Sequence, residues 1–212
     1  MEISEQIWWY TARAAGLVAL GGLTLSVVWG LILSTRILGR RAPAPWIFEL
    51  HRFVSLVTVV FVGVHIAALV PDNYVHFGWA EIFVPGASEW KPGAVAWGIV
   101  AFYLLVAVQV SSMLMRRIPR RWWRLIHFAS FALWAFTIVH VITAGTDTGS
   151  KAFAWVAVGA VQLVLFLTIV RIMTAARLRR ALRASSSFGA DRETEFPSAG
   201  PAPSADRAPA RR

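Results

Sequence analysis

The sequence predicts an all-α integral membrane protein, a five-helix transmembrane bundle with its amino terminus outside and its carboxyl terminus in the cytoplasm. Three observations predict it. The 212 residues are 57% hydrophobic and 15% charged, too little polar surface for a soluble domain of that length. Five mostly apolar runs are each about 18 to 22 residues long, enough to span ~30 Å of hydrocarbon at ~1.5 Å per residue. The basic residues gather at alternate ends of these runs. Five such helices inside a soluble core would leave no amphipathic shell to cover them.

The first run, Ala14–Leu33, follows a leader that carries Glu2 and Glu5 and no basic residue as far as Tyr10. A cleavable signal needs a positive leader, so this run is expected to be a retained helix. Arg36, Arg40 and Arg41 follow it, and Arg52 opens the second run, Phe53–Val70. The segment Pro71–Gly93 is rich in aromatic residues: Tyr74, Phe77, Trp79, Phe83 and Trp90 suit the headgroup level, and a short interfacial helix is expected there. The third run, Ala94–Met115, and the fourth, Leu125–Ala144, flank Arg116, Arg117, Arg120, Arg121 and Arg124. Arg171, Arg177, Arg179, Arg180 and Arg183 close the fifth, Ala152–Ile172. The opposite loops hold Lys91 and Lys151 beside Asp72, Glu81, Glu89 and Asp147. This is the positive-inside pattern of a multi-pass cell-membrane protein, and it sets the orientation.

Residues 1–183 therefore form one membrane domain. From Ala184 the composition turns to Ser, Pro, Ala and Arg, too poor in hydrophobes to bury a core, and 184–212 is expected to be a disordered cytoplasmic tail. The net charge of +10 reports orientation and contact with anionic lipid, not a nucleic-acid partner. No cysteine occurs, which excludes disulfides, thiolate catalysis, iron–sulfur clusters and cysteine-ligated zinc.

The chemistry lies in the histidines. His51 and His65 are 14 residues apart on the second run, and His127 and His140 are 13 apart on the fourth. The orientation puts His51 and His127 near the cytoplasmic face and His65 and His140 near the outer one. A rise of ~1.5 Å per residue separates the members of each pair by roughly 20 Å along the axis, the stacking distance that two haems need across a bilayer. Each haem iron would take one imidazole from each helix: His51 with His127, and His65 with His140. Two neutral imidazoles leave no open coordination position, which suits electron transfer. The plain alternative, polar residues hydrogen-bonded to backbone or headgroups, accounts for one such histidine better than for four at two matched depths. A spacing of 14 returns to one helix face within about 40°, but 13 misses by about 140°, so the fourth helix is tilted, distorted, or addresses the two sites from different flanks.

Other residues carry less. Arg13, at the outer end of the first helix, is either a haem-propionate partner or a snorkelling interfacial arginine. Arg52 and Arg124 have the same two readings at the inner face. His76 falls in the outer loop, outside the pattern, and reads as a surface residue. Trp134, between His127 and His140, reads as a bulky core residue or a packing partner of the haems.

The stretches LHRFVSLVTVVFVGVHIAAL and RRWWRLIHFASFALWAFTIVHVITAGTD, with TARAAGLVAL and VHFGWAEIFVP more loosely, carry a resemblance over about residues 8–175. The chain resembles the ferric-reductase-like transmembrane domain family, which is related to the membrane halves of NADPH oxidases and the haem subunit of bacterial methionine sulfoxide reductase. The resemblance implies a helical bundle around two stacked b-type haems held by His51, His65, His127 and His140. The chain carries no Gly-rich dinucleotide fingerprint, so no flavin or nicotinamide is expected to bind it. The expected function is transmembrane electron transfer by an oxidoreductase component that needs a separate donor, a cytoplasmic flavoprotein or a quinol. The acceptor is extracytoplasmic: ferric iron, oxygen or a secreted redox protein. The alternative is a haem-free scaffold or transporter subunit. Against it, the helix interiors hold only Gln109 and Gln162 as sizeable polar groups, where a transporter would carry charged or broken midplane helices.

Overall fold

The computed structural model describes residues 3–35, 44–72, 75, 77–146 and 149–195. Glu2, Arg36, Arg40, Arg41, Tyr74, His76, Asp147 and residues 196–212, all singled out by the sequence, lie outside the described residues. The elements are α1 (Ile3–Thr35), α2 (Ala44–Leu69), α3 (Trp79–Phe83), α4 (Pro92–Met113), α5 (Arg120–Ala144) and α6 (Lys151–Glu195). No strand occurs among the described residues. Five of the helices are long and apolar enough to cross a membrane, over Gln6–Thr35, Pro45–Leu69, Pro92–Met113, Arg120–Ala144 and Lys151–Arg177. Each contains an expected run or nearly all of it. In hydrocarbon every backbone N–H and C=O must be satisfied within the segment, which makes the helix the only form open to such runs.

The ends are set by ordinary local chemistry. Pro92 stands in the first turn of α4 and Pro119 caps α5, positions where proline's missing N–H costs nothing. Lys91, the residue before α4, sits at φ 43°, ψ 60° in the left-handed region. Its ammonium donates to the Thr143 carbonyl at 3.1 Å, tying the start of α4 to the end of α5. Between α2 and α4 the short helix α3 is present, and the Tyr103 hydroxyl of α4 donates to the Phe83 carbonyl at its end.

The chain divides into two units, Met1–Val170 and Arg171–Arg212. In the first, α1 packs along α2 and α4 along α5, with α1 also touching α5. Partners run in opposite chain directions in both hairpins: Ala12 meets His65 while Ser26 meets His51, and Lys91 meets Thr143 while Trp97 meets Phe136. The core between them contains Leu23, Val27, Leu31, Leu105, Leu133 and Trp134, joined by Val164 and Leu167 of α6. On α2, Phe53, Leu56, Val60 and Val64 form an exposed stripe at helical spacing, the lipid face. In the second unit α6 continues to Glu195, past the boundary expected at 183. Low hydrophobicity argues against a packed core there and not against a helix that propagates from the span before it.

Candidate functional site

The four histidines of the sequence pattern meet as two pairs. The ring centroids of His51 and His127 are 6.2 Å apart with planes at 72°, and those of His65 and His140 are 6.4 Å apart at 78°. These are the two pairings that the sequence spacing predicts. On α2, the 14-residue spacing puts both rings on the stripe that includes Ser55 and Thr58, opposite the lipid face. On α5 the helix is unbroken through Arg120–Ala144, so the rings leave it from different flanks. His127 shares a heptad stripe with Trp134 and Val141, and His140 shares one with Leu133. Leu133 and Trp134 are both buried, at 3% and 7% exposure, so α5 turns two adjacent stripes inward. That width accommodates the 13-residue spacing.

Hydrogen bonding fixes the tautomer of three rings. His65 Nδ1 lies 2.7 Å from the Ala12 carbonyl and His140 Nδ1 lies 2.8 Å from the Ala94 carbonyl. A carbonyl can only accept, so each Nδ1 carries the proton and each Nε2 presents a lone pair. At His51 the proton count decides. The Ser55 hydroxyl donates to the His51 carbonyl at 2.8 Å, which uses its only hydrogen. Ser26 Oγ, 2.8 Å from Ser55 Oγ, must therefore donate to it. With that hydrogen used, Ser26 can only accept from His51 Nδ1, at 3.4 Å. His51 also presents Nε2. The fourth ring, His127, is stacked on Trp123 at 5.1 Å with planes at 23°.

The glycines opposite these rings are part of the site. A Cβ on Gly98 would stand 2.7 Å from His140 Nδ1, and one on Gly16 would stand 3.1 Å from His65 Nδ1. One on Gly30 would meet His51 Cε1 at 3.6 Å. Each of the first two lies one turn after the carbonyl that its histidine bonds, Ala12 before Gly16 and Ala94 before Gly98. The sequence reading missed all of these, together with Ser26. A signal was present: Gly16 and Gly30 on α1 repeat the 14-residue interval of His51 and His65 on α2, in the opposite direction.

Around the His65–His140 pair α1 to α5 leave a mostly apolar cavity of about 230 Å³, lined by His65, His140, Arg13, Thr58, Thr137 and Glu81 among others. Arg13 thus reaches the surroundings of the His65–His140 pair. Arg52, next to His51 on α2, is exposed and bonded to Glu49 at 2.9 Å. Arg124 is exposed as well. Trp134 sits between the levels of the two pairs and donates its indole N–H to Thr24 Oγ1 at 3.1 Å, joining α5 to α1.

Among the described residues no three His, Asp or Glu side chains converge, so the nitrogen donors come as two pairs. A pair can hold a metal whose remaining ligands come from elsewhere. An iron between two imidazoles at metal–nitrogen distances of about 2 Å puts the ring centroids roughly 6 to 6.5 Å apart, with both Nε2 lone pairs aimed inward. Both pairs have that separation, and the four nitrogens of a porphyrin would complete six-fold coordination. The donor set therefore fits haem. A family model described as ferric reductase like transmembrane component matches residues 15–138, a stretch that contains His51, His65 and His127 and stops short of His140. The comparisons with curated proteins and with solved structures returned no match.

Proposed function

The chain belongs to the ferric reductase like transmembrane family, and from that premise we propose that it carries electrons across the bilayer through two b-type haems. The single observation that carries this reading is the two facing imidazole pairs, at 6.2 and 6.4 Å, one near each end of the α2 and α5 spans. His51 and His127 would hold the inner haem, and His65 and His140 the outer one. A bound haem supplies one-electron ferric–ferrous chemistry.

The protein's own residues do the rest. With Nδ1–H engaged by a carbonyl or a hydroxyl, His51, His65 and His140 keep Nε2 for the metal and hold the ring plane, as second-shell bonds do for metal-bound histidine generally. Two histidines at each site would leave a bound iron no open position for a small ligand, which favours electron transfer over ligand binding. Arg13 at the outer cavity offers a guanidinium to a propionate carboxylate. The apolar lining excludes water and lowers the local dielectric. The arginine-rich ends of the helices face the cytoplasm in this reading, where they favour an acidic flavoprotein donor through electrostatic steering. A quinol reaching the inner haem edge from the lipid is the other donor that the architecture admits. The acceptor meets the outer pair: ferric iron, oxygen or a secreted redox protein.

The test is a visible spectrum of purified protein before and after dithionite, with haem extracted and counted. About two b-type haems with low-spin, bis-imidazole bands are expected. His65→Ala or His140→Ala should remove the outer haem, and His51→Ala or His127→Ala the inner one. Full haem content in all four variants would refute the ligand assignment.

A further inference from the structure

We propose that Gly16 and Gly98 are positioning residues for the outer metal centre, each making room for one imidazole to lie against a helix backbone and donate to the carbonyl one turn earlier. The inference rests on the two-haem reading and adds what holds its outer ligands in place.

The same device occurs twice, on two helices. On α1, the Ala12 carbonyl accepts from His65 and Gly16 faces the same ring. On α4, the Ala94 carbonyl accepts from His140 and Gly98 faces that ring. Both are an Ala-x-x-x-Gly step, and both grip a histidine near the carboxyl end of the following long helix. The clearance decides how strictly glycine is required. At Gly98 a Cβ would stand 2.7 Å from Nδ1 and 2.8 Å from Cε1, closer than side chains approach, so the ring must move and its bond to Ala94 must stretch or break. At Gly16 the distances are 3.1 and 3.3 Å, a tighter contact than usual that a smaller shift relieves. Gly21 and Gly63, also in spanning helices, have nothing within 4 Å of where a Cβ would stand. Glycine weakens a helix interior, so its placement where a ring approaches the backbone has a steric reason that Gly21 and Gly63 lack.

The clasp also fixes orientation. A ring whose Nδ1 edge is bonded to a helix carbonyl and lies close against a glycine of the same helix cannot turn freely, so the 78° between the His65 and His140 planes is set by the packing of α1 on α2 and α4 on α5. A low-spin ferric iron between nearly perpendicular imidazoles has nearly degenerate dπ orbitals and a strongly anisotropic electron paramagnetic resonance signal. That signal reports ring orientation directly.

The experiment compares the purified full chain with Gly98→Ala, Gly16→Ala, Gly21→Ala and Gly63→Ala by electron paramagnetic resonance, haem content and redox titration. Gly98→Ala should move the outer signal to lower anisotropy or lose up to about half the haem while the inner signal stays. Gly16→Ala should move it less and in the same direction, and the two control variants should overlay the parent. If Gly98→Ala does not accumulate, Gly16→Ala decides alone. Overlay of both clasp variants on the parent in every readout overturns the proposal, as does equal loss of both haems in both, which would mean general packing. Should the parent bind no haem, the two-haem reading itself falls. Histidine ¹⁵N resonance in that protein then decides the clasp: Nδ1-protonated His65 and His140, disturbed by the glycine variants, support it, and undisturbed rings overturn it.

Discussion

On the two-haem reading, removing one hydroxyl, in Ser26→Ala, should raise the midpoint potential of the haem held by His51 and His127, the inner one, and leave the outer one where it is. Ser26 is buried at 8% exposure and is the acceptor that the hydrogen count leaves for His51 Nδ1–H. An Nδ1–H bond lends the imidazole anionic character and makes it a better donor to ferric iron. Losing the acceptor withdraws that support, favours the ferrous state and shifts the potential upward. The contact is 3.4 Å, longer than ordinary N–H···O bonds, so its value lies at the bottom of the usual range, about 0.5 kcal/mol and no more than about 1. For a one-electron couple, where a tenfold change in equilibrium is 59 mV, this is about 20 mV and at most about 40 mV. Spectroelectrochemical titration of purified protein measures it, with the outer haem as internal reference. A shift confined to the outer haem, a fall in the inner potential, or a change above about 100 mV would refute the hydrogen-bond chain from His51 through Ser26 to Ser55.

Other consequences are as direct. Thr24→Val leaves the buried Trp134 indole N–H without its acceptor and should cost about 1 to 3 kcal/mol, read as a lower melting temperature in detergent with both haems retained. Reporter fusions at Arg120 should read cytoplasmic and fusions at Ser88 outside; the reverse at Arg120 would invert the assignment of inner and outer pairs. NADPH alone should leave the haems of the 212-residue polypeptide oxidised, because a two-electron hydride donor normally needs a flavin before a one-electron acceptor. A menaquinol analogue or a flavoprotein fraction should reduce them, and fast reduction by NADPH with pure protein would sink this.

The spans and both histidine pairings could be read from the sequence because they depend on coarse quantities, run length and residue interval. Hydropathy needs no knowledge of neighbours, and 14 residues on α2 define a face whatever packs against it. The 13-residue interval on α5 was ambiguous for the opposite reason: its meaning depends on how wide a face the helix buries, and Leu133 and Trp134 settle that only once their neighbours are in place. Arg52 illustrates a different limit. Its position beside His51 left two readings open, and the structure adds an exposed local partner, Glu49 one turn earlier, that the sequence reading did not weigh. α6 runs on to Glu195, past the compositional change at Ala184, because composition argues about cores and a helix can propagate from the span before it.

Gly16 and Gly98 were harder still, since a glycine in an apolar run announces nothing until the ring opposite it is known. Their arrangement separates the two ends of the molecule by the kind of group that holds the ligands. At the outer pair both acceptors are main-chain carbonyls, those of Ala12 and Ala94, which no side-chain substitution removes. At the inner pair His51 depends on a serine hydroxyl, and His127 is backed by the Trp123 ring. The outer site is therefore set by how closely two helices approach and is sensitive to added volume. The inner site is set by side-chain chemistry and can be tuned one atom at a time. On the two-haem reading, variation in driving force between related chains should accumulate at positions equivalent to Ser26 and Trp123, while Gly98 tolerates little more than a hydrogen atom and Gly16 admits a methyl only with a small shift of its ring.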